Sequence, residues 1–274
     1  MKKKRKKYSL TIVIILAILS VIMIFPFVWM ILSAFKTPAD VYTYPPKWLP
    51  STWDFNNFKK VFEMIPFVRY YFNSIFISVT QTFIQIMLSI GAAFAITLLD
   101  FPGKKLFRGI LQSSMFIPSV VTLIPLFFLV SALGWVDTYI GLILPQIFTA
   151  FTTMLIAAFF ITMPRDLVDA AKIDGCSHFQ ILTKIMIPNS KSAISTATLF
   201  AFLGHWKSYQ WPLIITNSTN LRTLPIGLKY LVQESSSEYQ VMMAAALMAV
   251  LPVLIMFLIY EKQLVRSITL TGIK

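Results

Sequence analysis

Long apolar runs separated by short polar segments dominate this chain of 274 residues. A helix that crosses about 30 Å of hydrocarbon needs about 20 mostly apolar residues, because every backbone amide must find its partner within the helix. The pattern therefore predicts an all-α membrane protein with a single transmembrane domain over residues 1–274. Six windows predict six transmembrane helices: residues 8–35, 70–99, 109–133, 139–163, 192–216 and 239–260.

The composition supports the membrane interpretation. Hydrophobic residues make up 57% of the chain and charged residues 13%, and the mean hydropathy is +0.74. Charged residues are too few to cover the surface of a soluble domain. The first apolar run follows a basic start and is longer than the roughly 7 to 15 residues of a signal-peptide core. We therefore expect residues 8–35 to be an uncleaved membrane anchor.

The distribution of basic residues predicts the orientation. The net charge is +13, and most Lys and Arg residues of the loops fall at the two termini and in residues 100–108 and 165–191. Alternating spans place these segments on one side, which the positive-inside rule assigns to the cytoplasm. We thus expect a multi-pass protein of the cell membrane with both termini in the cytoplasm. Its surroundings would be the lipid bilayer and not nucleic acid, since the chain lacks a basic domain with interleaved aromatic residues.

The most polar helical stretch lies between the fourth and fifth predicted spans, at residues 166–188. It predicts two short helices joined by a sharp corner. Asp166 can cap the first helix, and Gly175 can supply the positive φ that ends it. Ser177 followed by Gln180 forms a capping box for the second helix, which we expect to stop at Pro188.

Two functions fit residues 166–188 on the sequence of this segment alone. Leu167, Ala170 and Ala171 share one face, and these small alanines would let a partner's backbone come close while Asp169 offers a directional charge. A connector that lies amphipathically on the bilayer surface fits the same pattern. The residues themselves leave both interpretations open.

The ordered motifs of the chain resemble a known family. The spacing from the Asp-Ala-Ala triplet at 169–171 through Gly175 and Ile185 to Pro188 is similar to the cytoplasmic loop of permease subunits in binding-protein-dependent ABC importers. Nearly the whole chain resembles the carbohydrate-uptake branch, specifically its maltose-permease-like smaller subunit. The similar segments are FNSIFISV, IPSVVTLIPLFFLVSALGWVDTYIGLILPQI, MPRDLVDAAKIDG, WKSYQWPLIIT, LRTLPIGL and LVRSITLTGIK.

The resemblance implies that residues 166–188, which we call the coupling loop, fit a cleft on a cytoplasmic ATPase subunit. Asp169 then takes the place of the acid that pairs with a basic residue of the ATPase, where the family usually has Glu. The C-terminal residues 271–274 match a segment that can reach toward the ATPases. The coupling residues would be Asp169, Ala170, Ala171, Asp174, Gly175, Phe179, Ile185 and Pro188.

The resemblance also implies the composition of the transporter. The chain would be one permease subunit of a type I importer for a sugar or oligosaccharide, with a second homologous permease, two ATPase subunits and an external substrate-binding protein. The chain has no phosphate-binding G-x-x-x-x-G-K-[ST] motif, so we expect a non-catalytic subunit whose partner binds ATP and Mg²⁺. With one cysteine, Cys176, and two separated histidines, we expect no cofactor and no metal site.

A polar and aromatic cluster in the fifth predicted span is the candidate substrate path. Aromatic faces beside hydrogen-bonding groups suit sugars, although an aromatic belt at the membrane interface would show the same residues. Lys207 stands where relatives often have Asn, which points to a polar or acidic saccharide or a polyol. The candidate residues are His205, Trp206, Lys207, Tyr209, Gln210 and Trp211.

An ion-coupled secondary carrier is the alternative function from a different class. Such carriers usually hold acidic residues within the membrane for proton or sodium coupling. In this chain the acids Asp100, Asp137 and Glu261 lie at the ends of the predicted spans. The sequence therefore favours the ATP-driven importer.

Overall fold

The computed structural model describes residues 10–234 and 238–271, with side chains described through residue 233 and from 238 to 263. The described residues form helices and connecting turns without a β-strand. The helices, in chain order, are α1 (Leu10–Ala34), α2 (Pro38–Val41), α3 (Asn56–Met64), α4 (Phe67–Leu98), α5 (Lys104–Ser114), α6 (Ser119–Ala132), α7 (Tyr139–Ile143), α8 (Ala150–Ile161), α9 (Arg165–Ile173), α10 (His178–Gln180), α11 (Ile187–Asn189), α12 (Lys191–Trp206), α13 (Gln210–Ile215), α14 (Leu224–Glu234) and α15 (Tyr239–Thr271).

Three described helices are long and apolar enough to cross a membrane. They are α1 with 25 residues, α4 with 32 residues and the Tyr239–Gln263 part of α15. The basic residues that precede α1, and the tail after Thr271, lie outside the described residues. The sequence-based expectations about both termini therefore stay predictions.

The predicted span over residues 109–133 is not one continuous helix. It falls on α5 and α6, whose axes are bent by 107° at a short break. Pro118 stands at the N-cap of α6 with φ −61° and ψ 133°. A proline has no amide to donate, and its ring keeps the preceding residue out of the helical region, so the helix stops before it and restarts after it.

The next two predicted spans are also interrupted. Residues 139–163 fall on α7, a 3₁₀ turn at Leu144–Gln146 and α8, with a bend of 41°. Residues 192–216 fall on α12 and α13, and α12 has 16 residues, which is about 24 Å at 1.5 Å per residue. By length and composition the described helices supply three spans, or five if each bent pair is one span. The count of six stays a prediction.

The chain divides into two units, residues 1–67 with 228–251 and residues 68–227 with 252–274. The first unit contains a folded loop after α1, centred on the buried carboxylate of Asp40. Lys47 Nζ and Ser51 Oγ both donate to this carboxylate at 2.7 Å, and the Ser51 amide donates at 2.9 Å. The buried Lys36 ammonium donates to the Lys47 carbonyl at 2.7 Å. The loop is therefore held by charged hydrogen bonds.

We expect Asp40→Asn to lower the stability of this loop by about 2 kcal/mol, because it removes a charged acceptor of several hydrogen bonds. Hydrogen bonds from Lys47 and Ser51 hold the pKa of Asp40 well below its usual value. A carboxyl with a depressed folded-state pKa stabilises the fold above the unfolded pKa of about 4, and that contribution is lost as pH falls through the folded pKa.

Melting temperatures of the detergent-solubilised protein between pH 7 and pH 3 test this prediction. The wild type should lose stability on acidification, while Asp40→Asn should melt lower at pH 7 and depend less on pH. Glu63→Gln is a matched control. Glu63 is also a carboxylate with a lysine partner, Lys59 at 3.6 Å, but both of these side chains are exposed. Equal melting of Asp40→Asn and wild type at pH 7 would contradict the prediction.

The core of the second unit joins the long helices to the coupling loop. Ile90 and Ala93 of α4 and Ile156 of α8 are buried in one cluster. The same cluster contains residues of the coupling loop, which are Val168, Ala171, Ile181 and Met186. The loop is therefore packed against its own helices through an apolar face.

Candidate functional site

The corner of the coupling loop is built around Gly175. Its φ is +76°, a left-handed conformation that glycine adopts without steric cost. The Cys176 amide donates to the Ala171 carbonyl at 2.9 Å, and the Gly175 amide donates to the Lys172 carbonyl at 3.0 Å. This hydrogen-bond pair is the Schellman motif, which satisfies the last carbonyls of α9. The structure thus places Gly175 where the sequence predicts a helix end.

The second arm begins as expected and ends later than expected. The Ser177 amide donates to Gln180 Oε1 at 2.8 Å and the Gln180 amide donates to Ser177 Oγ at 3.3 Å, so the capping box is present. The arm runs through α10, a π-helical segment at Ile181–Met186 and α11. Helix α11 ends at Asn189, so the arm stops one residue after Pro188.

The start of the first arm also differs from the expectation. Helix α9 begins at Arg165 after Pro164, and no side chain caps it. Asp166 lies in the first turn, where its negative charge still favours the helix through the macrodipole.

The predicted coupling residues divide between two faces. Ala171 is only 5% exposed and contacts the core, so it does not share an outer face with Ala170 as the helical spacing suggests. Ile185 is half-buried against the same core. The other six are exposed: Asp169, Ala170, Asp174, Gly175, Phe179 and Pro188.

The outer face of the coupling loop carries exposed apolar side chains. Phe179 was predicted as a coupling residue and Leu167 was placed on the docking face, whereas Ile173 was not selected from the sequence. Ile173 is 87% exposed and Phe179 is 73% exposed, and Leu167 is also exposed. Asp169 lies 3.6 Å from Lys172, and both side chains are largely exposed, so this pair adds little stability. An outer face with exposed apolar residues beside an acid is typical of a surface that binds another protein. The sequence signal for Ile173 was an isoleucine at the polar end of α9.

The predicted substrate-path residues lie around two cavities. Lys207, Tyr209, Gln210 and Trp211 line a partly open cavity of about 600 Å³. His205 and Trp206 line a second, enclosed space of about 10 Å³, which Trp211 also borders. The fifth predicted span breaks at 207–209, between α12 and α13, and this break brings the polar residues to the cavity wall.

A buried polar network joins three helices beside these cavities. Gln85 Nε2 of α4 donates to Thr149 Oγ1 at 2.9 Å and to Thr152 Oγ1 at 2.6 Å, both at the start of α8. His205 Nε2 of α12 donates to Gln85 Oε1 at 2.7 Å. The sequence reasoning selected His205 but missed Gln85, whose signal is an amide in the middle of a long apolar window.

We expect Gln85→Leu to reduce the free energy of unfolding by about 2 kcal/mol, because it leaves the His205 ring nitrogen without its partner and removes the two hydrogen bonds to Thr149 and Thr152. The melting temperature of the detergent-solubilised protein measures this loss. Gln112→Leu on α5 is the matched control, since Gln112 is exposed. Equal losses from the two substitutions would contradict a structural role for the Gln85 network.

Two loops that the predicted orientation places on the same side of the membrane are hydrogen-bonded to each other. Asp137 accepts from the amides of Asn217 and Ser218, each at 3.0 Å, and its own amide donates to the Ile215 carbonyl at 2.8 Å. These hydrogen bonds lower the pKa of Asp137 from its usual value. The contact agrees with an arrangement in which both loops lie on the same side.

Two of the quoted motifs also meet in the structure. Asn73 of FNSIFISV is buried and donates through Nδ2 to the carbonyls of Asn220 at 2.8 Å and Arg222 at 2.9 Å. The amide of Leu224, in LRTLPIGL, donates to Ser74 Oγ at 2.7 Å. These polar residues therefore position the segment before α14.

Among residues 10–234 and 238–271, no group of three or more His, Cys, Asp or Glu side chains is arranged to hold a metal ion. Cys176 is a half-buried free thiol in the coupling loop.

Residues 85–269 match the family model of binding-protein-dependent transport system inner membrane components. The match covers more than half of the chain and includes the coupling loop and the cavity wall. The chain belongs to this family. It is a multi-pass membrane permease component of a binding-protein-dependent ABC importer.

The similar proteins are permeases of defined uptake systems. An arabinooligosaccharide transport system permease protein of Bacillus subtilis is 28% identical over 97% of this chain and 96% of its own length. A sulfoquinovosyl glycerol transport system permease protein of Agrobacterium fabrum is 30% identical over 92% of this chain and 89% of its own length. A crystal structure of a bacterial ABC transporter for the import of alginate, an acidic polysaccharide, contains a chain of the same fold. It has 24% identity, a TM-score of 0.81 and coverage of 94% of this chain and 99% of that chain.

Proposed function

We propose that this permease transports a sugar or oligosaccharide and receives the work of ATP hydrolysis through its coupling loop. The observation that carries the proposal is the two-faced packing of the loop. One face shares a core with α4 and α8, and the other face exposes Ile173 and Phe179. A force applied to the outer face is thus transmitted directly into the helices, because a close-packed core deforms little.

The partners follow from this arrangement. The outer face binds a cytoplasmic ATPase subunit, and the complete importer contains two such subunits, a second homologous permease and an external substrate-binding protein. Asp169 is exposed and available to a basic residue of the ATPase once its weak pair with Lys172 opens. Because the cytoplasmic partner lies at the coupling loop, both termini lie in the cytoplasm as well.

ATP and Mg²⁺ are bound by the partner subunit and not by this chain. The sequence contains no glycine-rich phosphate loop, and such a loop supplies the backbone amides that hold the phosphates. The chain is therefore a non-catalytic subunit.

A saccharide substrate is supported by the relatives and by the cavity. The relatives named above belong to uptake systems for arabinooligosaccharides and sulfoquinovosyl glycerol. The cavity wall contains Tyr209, Gln210 and Trp211 beside serine and threonine hydroxyls. Aromatic faces and hydrogen-bonding side chains are the groups that hold sugars.

Co-expression with the products of the neighbouring genes tests the proposal. We expect an ATPase subunit to co-purify with this chain, and uptake into vesicles to follow internal ATP. Gly175→Val should abolish both, because a β-branched residue is strained at φ +76° and the corner would open. Gly91→Ala is the matched control, since nothing lies within 4 Å of an added Cβ there.

The result that would overturn the proposal is uptake that follows a proton or sodium gradient without any associated ATPase. That outcome would place the chain among ion-coupled carriers.

A further inference from the structure

The wall of the larger cavity is polar and contains a single charged side chain. The cavity has a volume of about 600 Å³, which lies within the range of small-molecule sites. Among its lining residues Lys207 is the one with a charge, and the lining contains no carboxylate. The neutral hydrogen-bonding groups of the wall come from Ser119, Thr122, Gln146, Ser208, Tyr209 and Gln210.

The Lys207 ammonium has no ion-pair or hydrogen-bond partner within the described parts of the chain. The Lys207 side chain is exposed on the wall of this cavity and is not covered by other residues of the chain. A cation in a cavity of a membrane protein needs water, a counter-ion or a ligand as its partner. An open cavity with an unpaired cation therefore offers room for an anionic ligand.

Lys207 lies at the end of a helix. It is the C-cap of α12, with φ −85° and ψ 1°. The carbonyl groups at the end of a helix carry a partial negative charge and favour a nearby cation. No carboxylate lines the cavity, so the positive field of Lys207 extends into it.

We propose that this cavity takes an anionic saccharide, one that carries a carboxylate, sulfonate or phosphate, and that Lys207 is its anion contact. The inference rests on the saccharide-importer function and assigns its substrate class. The hydroxyl and amide groups of the wall hold the sugar hydroxyls, and Tyr209 offers an aromatic face. A lysine is a point charge and does not select among the three anions by geometry.

The first experiment measures the local field without a substrate, in the complete transporter co-purified with its partners. Cys176 is replaced by Ser, and Gln210→Cys places a thiol on the cavity wall. The thiol is reacted with sulfonatoethyl and trimethylammonioethyl methanethiosulfonates. We expect the anionic reagent to be favoured, and Lys207→Gln to lower the anionic-to-cationic rate ratio about tenfold while Lys207→Arg preserves it. An unchanged ratio in Lys207→Gln overturns the inference.

The second experiment measures ATP-dependent uptake of trigalacturonate and of its carboxyl-reduced neutral counterpart. We expect wild type and Lys207→Arg to import the anionic sugar, and Lys207→Gln to import it at least tenfold more slowly. Lys229→Gln is the matched control, because Lys229 is exposed and outside the cavity wall. If wild type and Lys207→Gln import only the neutral sugar, and at equal rates, the anionic substrate class is wrong. The saccharide-importer function would still stand in that case. Absence of an associated ATPase in the wild type would overturn the proposed function. The thiol reaction can then still be measured on this full-length chain purified alone, so it tests the cavity charge separately.

Discussion

Phe179→Asp should separate this permease from its ATPase and reduce uptake at least tenfold. Phe179 is 73% exposed on the outer face of the coupling loop, so the substitution leaves the core of this chain intact. In a protein interface an exposed aromatic residue of this kind is often a main contributor, and its loss costs about 2 kcal/mol or more. A carboxylate in its place would also be buried without a partner. Co-purification of the ATPase and ATP-driven uptake measure the effect.

His178→Asp is the matched control for this prediction. His178 is exposed and immediately precedes Phe179 at the first position of α10. A negative charge is favoured at the start of a helix, so the same new carboxylate is tolerated one residue away. If Phe179→Asp keeps the ATPase bound and uptake intact, the outer face is not the docking surface. If both variants lose the ATPase, the loss reflects charge near the loop and not the aromatic contact.

Gly141→Ala should destabilise the protein by about 3 kcal/mol, the upper end of the usual cost of overpacking. An added Cβ at Gly141 would overlap the backbone carbonyl of Trp135, which cannot move aside as a flexible side chain can. The Gly141 carbonyl also accepts from Trp211 Nε1 at 3.1 Å. A displaced α7 would therefore disturb a residue of the cavity wall. The melting temperature should fall by about 5 °C or more, and uptake should decrease with it.

Gly109→Ala on α5 is the control, since an added Cβ there meets nothing within 4 Å. Alanine also favours a helix over glycine by about 1 kcal/mol, so this variant should melt at or above the wild-type temperature. A Gly141→Ala protein that melts as the wild type does would show that α7 shifts without cost.

The sequence predicts the coupling loop well where local chemistry determines the backbone. A positive φ at Gly175 and the capping box of Ser177 and Gln180 depend on residues within one turn of each other, and the structure confirms both. The family and the all-helical class follow from motifs and from apolar run length. These features can be predicted without knowing which helices pack against each other.

Features that depend on distant contacts were not predictable in the same way. Helical spacing places Ala171 beside Ala170, but only the core formed with α4 and α8 shows that Ala171 is buried. Gln85 looks like an isolated polar residue until α8 and α12 lie against it. The break at 207–209 lies within a run that is apolar enough to read as an unbroken span, whereas the break at 115–118 has a local signal in Pro118.

The Gln85 hydrogen bonds limit how this permease can change shape. Gln85 joins α4 to α8 through two hydrogen bonds and to α12 through one, so sliding α4 past its two neighbours breaks all three bonds and sliding either neighbour breaks at least one. Breaking buried hydrogen bonds is costly, and we therefore expect the three helices to move together. Any rearrangement that opens a route to the opposite side must then rotate at joints outside this trio, and the segments 115–118 and 207–209, where helices are already interrupted, are the natural hinges.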